Sequence, residues 1–143
     1  MFGMPDAFMR MKAKELFGVE LPPSGQYAVA NVFFPPGSET KAIMGDCKAI
    51  MERLTKERGL DLIGWRRVPV DNSMLGKEPR DSEPITEQFF VGIGNKSGQK
   101  EFEQDLLLVR KMAEAEVMDM LGPESGFYVC SLTSSHITYK GQL

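Results

Sequence analysis

Two cysteines and a single histidine are the side chains of this chain best suited to nucleophilic catalysis. Cys130 and His136 flank a Thr-Ser-Ser turn, so a terminal hairpin could place a thiol beside an imidazole. Such a dyad requires hydrogen-bond contact between the two groups and donors for an oxyanion. Strand register decides whether the two side chains meet, and no helix N-terminus or glycine pair nearby supplies the donors. We therefore favour a core cysteine and an exposed histidine.

The other thiol, Cys47, falls on the apolar face of a predicted helix, which also carries Ile43, Ile50, Met51 and Leu54. A thiol among apolar side chains has a raised pKa and little reactivity. Free cysteine is also among the most buried residue types, so we predict a structural role. One histidine and two distant cysteines make a poor zinc site, because structural zinc takes four closely spaced ligands. The sequence thus assigns no catalytic, cofactor-binding or metal-binding residue.

A glycine-rich stretch, VGIGNKSG at positions 91–98, has some features of a phosphate-binding loop. Such loops direct backbone amides at phosphate oxygens. The spacing of Gly92, Gly94 and Gly98 is G-x-G-x-x-x-G, which differs from the dinucleotide-binding pattern. The acidic residue expected about twenty positions later would fall inside the next predicted helix. A plain strand-to-helix turn is the better interpretation.

Carboxylates cluster in and after a long proline-containing segment, at Glu78, Asp81, Glu83 and Glu87. Paired carboxylates can divide acid and base work when their environments differ. Here Lys77 and Arg80 alternate with them in sign, which favours a solvated, salt-bridged loop. Arg66 and Arg67 could dock that loop through its carboxylates. We prefer this interpretation to a catalytic one.

The length and composition indicate one globular domain over residues 1–143. Hydrophobic residues make up 42%, charged residues 26%, and the net charge is −3. Lys and Arg are scattered, which argues against nucleic-acid binding. No apolar run approaches the roughly 18 residues of a membrane span, and Pro5 and Asp6 interrupt any secretory signal. Two separated cysteines do not form a disulfide framework, so we expect a reducing compartment.

Hydrophobic periodicity and turn residues predict the elements that position these groups. The predicted strands are Gln26–Phe34, Leu60–Arg67, Ile85–Ile93, Phe127–Leu132 and His136–Tyr139. The predicted helices run from Pro5 to about Gly18, from an N-cap at Ser38 to Arg58 with Gly59 as C-cap, and over Gln99–Leu121. The last helix is expected to bury Phe102, Leu106, Val109, Met112 and Val117.

After the first helix the element order is β-α-β, a long loop, and β-α-β. This is the order of a βαββαβ, ferredoxin-like unit. Two helices would then cover one face of an antiparallel sheet, which places the fold in the α+β class. We expect the core to lie within about residues 26–141.

Four stretches of the chain carry a family resemblance. Gly64–Gly92 contains "GWR-VPVDNS-LG" and then "EP---Q-F". The other three are MPDAFMR at Met4–Arg10, LPPSGQYAVANVFFP at Leu21–Pro35 and FYVCSLTSSHITYKG at Phe127–Gly141. In this order they resemble the class-II amidotransferase region of glutamate synthases, over nearly the whole chain. Ser135-His136 depart from an Arg-Thr pair that is common there.

The resemblance implies an N-terminal-nucleophile hydrolase domain that releases ammonia from glutamine for the synthesis of glutamate from 2-oxoglutarate. In that family an N-terminal cysteine attacks the glutamine amide, an arginine in "H-RFSTN" binds substrate and an "NGE" segment supports the oxyanion. These motifs are not in the sequence, and neither Cys47 nor Cys130 matches the nucleophile. We expect an internal fragment, inactive alone, whose Val68–Pro84 loop and terminal hairpin pack against the catalytic core.

The resemblance also implies FMN and an iron–sulfur cluster elsewhere in the parent enzyme and none in this chain. Its implied partners are the rest of the glutamate synthase chain and the substrate glutamine, in the cytoplasm or a plastid. An alternative remains open: a stand-alone, non-enzymatic α+β binding module. An open sheet face and a long loop favour it, because loops on rigid scaffolds often carry recognition.

Overall fold

The structure, a computed structural model, describes residues 2–3, 6–34, 41–67, 85–122, 127–134 and 136–137. Its helices are α1 (Asp6–Phe17), α2 (Lys41–Glu57) and α3 (Gln99–Leu121). Its strands are β1 (Phe2–Gly3), β2 (Tyr27–Phe34), β3 (Asp61–Arg67), β4 (Ile85–Gly92), β5 (Tyr128–Thr133) and β6 (His136–Ile137).

A four-stranded antiparallel sheet in the order β3-β4-β2-β5 forms the centre of the molecule. β2 pairs with β4 over its whole length, from Tyr27 opposite Gly92 to Phe34 opposite Ile85. The short strands β1 and β6 pair separately. Mixed helices and an antiparallel sheet confirm the predicted α+β class.

α2 and α3 lie on one face of this sheet and bury the larger core. β2 has alternate side chains on opposite faces, so Ala28, Ala30, Val32 and Phe34 point towards these helices. The helices contribute apolar side chains at helical spacing, namely Met44, Cys47, Met51, Leu54, Phe102, Leu106, Val109, Ala113 and Val117. These periods of 2 and 3.6 residues make one continuous apolar layer.

α1 covers the opposite face with a smaller core. Its buried Met9 and Ala13 pack with Leu21, Tyr27, Val29 and Phe90. Phe17 meets the ring of Phe90 edge-on, with 5.5 Å between the centroids. Gly64 makes room for Phe17, because a Cβ at Gly64 would lie 2.6 Å from the Phe17 ring. The central sheet is thus buried on both sides where α1 crosses it.

Most predicted elements are confirmed within a residue or two, and the bounds of α3 are confirmed at both ends. Met112 was wrongly placed in the core: it is 38% exposed, and the buried stripe passes through the adjacent Ala113. Asp105 also belongs to that stripe, where Lys96 Nζ at 3.0 Å and Arg58 at 3.6 Å balance its charge. Ser38 and the Val68–Pro84 loop lie outside the described residues.

Candidate functional site

Cys47 is fully buried between α2 and the sheet. Burial raises the pKa of its thiol to about 11, with a smaller contribution from the charge of Asp46. Because the thiolate is the nucleophile, almost none of the reactive species exists at neutral pH. The predicted burial of Cys47 is confirmed, and its low reactivity stays a prediction.

Cys130 is buried as well, but on the other face of the sheet. It lies directly opposite Asn31 of β2, and side chains of paired residues share a face. Asn31 alternates with the residues that face α2 and α3, so Cys47 and Cys130 are separated by the sheet. His136 pairs with Gly3 of β1 in the two-stranded sheet. Its side chain is outside the description, so the Cys130–His136 dyad stays a hypothesis.

The glycine-rich stretch forms the predicted turn between β4 and α3. Gly94 has a φ of +62°, and a Cβ there would clash with the carbonyl oxygen of Gly59. The Asn95 amide donates to that same oxygen at 3.1 Å. Lys96 is bound to Asp105, and the Ser97 amide points at Glu101 from 3.4 Å. The turn's donors therefore serve the fold, which supports the interpretation as a structural turn.

Glu87 corrects the expectation of a solvated acidic loop, because it is only 4% exposed and lies within β4. Lys48 Nζ is 2.8 Å from its Oε1, and Arg67 Nε is 3.1 Å from its Oε2. Glu87 and Phe89 are two positions apart on β4, so they share a face and Glu87 points towards α2. Arg67 contacts Glu87 and Arg66 donates to Gln88 Oε1 at 2.7 Å, so both side chains contact β4. Glu78, Asp81 and Glu83 lie outside the described residues.

Trp65 of β3 belongs to the same cluster as Glu87, Lys48 and Arg67. Its indole Nε1 donates to Glu52 of α2 at 2.9 Å. Lys48 Nζ lies 5.1 Å from the Trp65 ring centroid, within cation–π distance. The ring also packs on Phe89 at 4.4 Å. Sequence reasoning missed this cluster, although Arg67 opposite Glu87 is a favourable cross-strand pair.

A second polar cluster fastens α1 to β2. The Tyr27 hydroxyl donates to Asp6 Oδ1 at 2.6 Å, and Arg10 Nε donates to Asp6 Oδ2 at 2.8 Å. Arg10 also donates to the carbonyl oxygens of Leu21 and Pro22, both at 2.7 Å. The Tyr27 hydrogen bond, followed by that from Arg10, lowers the pKa of Asp6. Burial raises the pKa of Tyr27 above its usual range.

The outer edge of β5 is bounded by carboxylates from α3. The Val129 amide donates to Glu114 Oε2 at 2.9 Å, and the Ser134 amide donates to Glu103 Oε2 at 2.7 Å. Between these two contacts lies a cavity of about 500 Å³, which we call the α3–β5 groove. It is lined by Lys100, Glu103, Gln104, Leu107, Arg110, Leu132 and Thr133.

The polar groups of these clusters pair with side chains or backbone groups of other described residues. Among them, no group of three or more His, Cys, Asp or Glu side chains is arranged to hold a metal ion. No helix in the described ranges has the length and apolar character to cross a membrane.

Known proteins place the chain in a family. Residues 1–143 match the model of class-II glutamine amidotransferases. The chain is 35% identical over 149 residues to glutamate synthase (NADH) of Saccharomyces cerevisiae, covering 100% of this chain and 7% of the yeast protein. It is 35% identical over 146 residues to the glutamate synthase (NADPH) large chain of Bacillus subtilis, covering 98% and 9%.

A plant relative shows the same relationship. The chain is 34% identical over 116 residues to ferredoxin-dependent glutamate synthase 1 of Arabidopsis thaliana, which corresponds to 80% of this chain and 7% of that protein. The chain thus spans less than a tenth of the length of these curated relatives. Because the family model matches from the first residue to the last, this chain belongs to the class-II glutamine amidotransferases.

Proposed function

We propose that this chain is part of the glutamine-hydrolysing domain of a glutamate synthase. In that enzyme the domain supplies ammonia for the reductive synthesis of glutamate from 2-oxoglutarate. The observation that carries the proposal is the family match over residues 1–143, together with the glutamate synthases among its relatives.

We further infer that residues 1–143 form one βαββαβ ferredoxin-like unit, with its core at about residues 26–141, inside an N-terminal-nucleophile hydrolase domain. The order β2-α2-β3-β4-α3-β5 and the sheet order β3-β4-β2-β5 support this inference. In such a unit each helix connects two parallel strands that have a third, antiparallel strand between them.

The role of the segment in that domain is structural. Hydrolysis of an amide by a thiol needs a nucleophile, a base and oxyanion donors in one constellation. Cys47 is buried with a raised pKa, and Cys130 is buried on the opposite face of the sheet. The catalytic residues therefore belong to other parts of the glutamate synthase chain.

The redox cofactors of the parent enzyme, FMN and an iron–sulfur cluster, belong elsewhere in that enzyme. The donor set of this chain agrees with this assignment, because the sheet separates its two buried cysteines and they cannot jointly ligate a cluster. The partner of the segment is the rest of the glutamate synthase chain, and glutamine is the substrate of the parent enzyme. We place the parent enzyme in the cytoplasm or a plastid.

A segment exchange tests the proposal most directly. This chain would replace the matching region in the Bacillus subtilis large chain, and release of ammonia from glutamine would be measured. We expect the hybrid to retain glutaminase activity and the isolated chain to show none. A control hybrid would carry Gly94→Ala, which places a Cβ against the backbone of the adjacent turn.

The opposite results would refute the structural role. If the isolated chain released ammonia, and Cys130→Ala but not Cys47→Ala abolished the release, the Cys130–His136 dyad would be the better account. A well-folded hybrid without glutaminase activity would remove the support for membership in the glutamine-hydrolysing domain.

A further inference from the structure

The α3–β5 groove has the character of a binding surface rather than of a gap in the core. Leu132 lies in its floor, where β5 has a bulge between its pairings with Asn31 and Val29. A bulge places an extra residue in one strand and redirects side chains. Leu107, at its rim, is 45% exposed, so the groove presents apolar surface to solvent.

Two cations, Lys100 and Arg110, border this apolar surface. Within the part of the chain that the structure describes, Lys100 and Arg110 take part in no ion pair and no hydrogen bond. By contrast, Glu103, the acidic residue of the lining, is occupied by Thr133 and Ser134. With two cations and one carboxylate in its lining, the groove carries a net charge of +1 around an apolar centre. A ligand that complements the groove would carry negative charge on both sides of an apolar side chain.

The backbone of β5 constrains how such an occupant could bind. Glu114 and Glu103 already accept the amides of Val129 and Ser134, at either end of the groove. A strand added here could not pair with these two occupied amides, so we expect recognition to come mainly from side chains. The two carboxylates also hinder pairing of β5 with a strand of another molecule.

Helix geometry gives the spacing of the complementary groups. Lys100 and Arg110 are ten positions apart on α3, or about 15 Å at 1.5 Å per residue. An extended segment rises about 3.3 Å per residue, and alternate side chains share a face. A pattern Glu-x-Leu-x-Glu therefore presents two carboxylates near the cations and a leucine between them, beside Leu107.

We propose that the α3–β5 groove binds an acidic segment with this alternating pattern, contributed by a part of the glutamate synthase polypeptide outside this chain. The inference rests on the proposed function. The relatives supply ample polypeptide for it, since this chain corresponds to only 7% of the yeast protein and 9% of the Bacillus protein.

The first experiment tests the groove independently of its natural occupant. A fluorescein-labelled peptide containing Glu-Thr-Leu-Thr-Glu is titrated with the chain at low ionic strength, and its fluorescence anisotropy is measured. We expect Arg110→Glu and Leu107→Glu each to weaken binding by about fivefold or more. Arg110→Glu replaces a cation by an anion, and Leu107→Glu places a carboxylate where the leucine of the peptide would lie. A Lys-Thr-Leu-Thr-Lys peptide should bind the unmodified chain at least as weakly as the acidic peptide binds Arg110→Glu.

Met118→Glu is the matched control, because Met118 lies on the same helix, is 49% exposed and does not line the groove. We expect its affinity to stay within about twofold of the unmodified chain. Circular dichroism confirms that each variant is folded. Equal loss in all three variants, or equal binding of both peptides, would overturn the groove as the binding site.

A second experiment identifies the source. Overlapping peptides from the remainder of the Bacillus subtilis large chain are screened for binding that Arg110→Glu abolishes. At least one acidic peptide should bind in this way. If the designed peptide binds but none of these does, the groove serves a separate acidic protein and our assignment of source is wrong. A dimer of the chain that Leu107→Glu dissociates, seen by sedimentation, would instead make a second copy the occupant.

Discussion

Lys48 on α2 and Glu87 on β4 form an ion pair with 2.8 Å between Nζ and Oε1, inside the layer where the helix meets the sheet. Arg67 approaches the other carboxylate oxygen from β3. One buried carboxylate thus connects three elements at the end of the sheet where β3 stops and β4 starts. Burial of a charge is costly unless it is paired, so the two cations are required for Glu87 to occupy this position.

Glu87→Gln should destabilise the chain by about 2 kcal/mol, because the largely buried Lys48 would lose the charge that compensates its desolvation. Urea unfolding followed by Trp65 fluorescence measures the change. Glu57→Gln is the control, since Glu57 forms an exposed i,i+4 pair with Arg53 and should cost under about 0.5 kcal/mol. Equal losses in both variants would show that Glu87 has no special role.

Cys47 should resist thiol reagents in the folded chain. With a pKa of about 11, roughly 0.1% of this thiol is ionised at pH 8, and burial also blocks access. Reaction with a disulfide reagent should proceed at the rate of unfolding and become fast in guanidinium chloride. Rapid labelling of Cys47 in native protein, identified by peptide mass, would contradict the structure.

The same thiol predicts a pH dependence of stability. Its folded pKa lies above the unfolded value, so its contribution is complete below about pH 9 and is lost as the pH rises towards 11. Unfolding free energy measured between these limits should fall less steeply in Cys47→Ala. An unchanged slope would show that other groups, such as Tyr27, dominate the alkaline limb.

Asp6 should make the stability pH-dependent at acidic pH, with the opposite sign to that of Cys47. Its pKa is lowered first by the Tyr27 hydroxyl and then by Arg10, so its contribution is present above the ordinary pKa of 3.8 and lost as the pH falls further. Tyr27→Phe should raise the pKa of Asp6 in an NMR titration and cost about 1 kcal/mol at neutral pH. Tyr128→Phe, at an exposed tyrosine, should leave the Asp6 titration unchanged.

Gly94→Ala should destabilise the β4–α3 turn by about 2 kcal/mol or more, because φ is +62° and Leu60 Cα would lie 2.8 Å from the new Cβ. Gly98→Ala is the matched control: its φ of −172° suits any residue and nothing lies within 4 Å of its Cβ position. We expect a change within about 0.5 kcal/mol there, by thermal unfolding. A similar loss in both would attribute the effect to the loop in general.

Local patterns in the sequence were sufficient for much of this protein. A run rich in Tyr, Val and Phe determined β2, and helical spacing of apolar residues over Gln99–Leu121 determined α3, because these signals arise from neighbours within a few positions. The α+β class and the amidotransferase family also followed from the sequence. The absence of an assigned catalytic residue remains a prediction.

The tertiary structure decided where charges and edges lie. Glu87 belongs to a mixed-charge run in the sequence, and only the pairing of β3 with β4 and the position of α2 place it beside Lys48. Met112 and Ala113 are adjacent, so a rotation of α3 set by packing decides which is buried. The α3–β5 groove likewise requires the bulge in β5 and the reach of Glu103 and Glu114. These features depend on contacts between residues far apart in the chain, about which local periodicity contains no information.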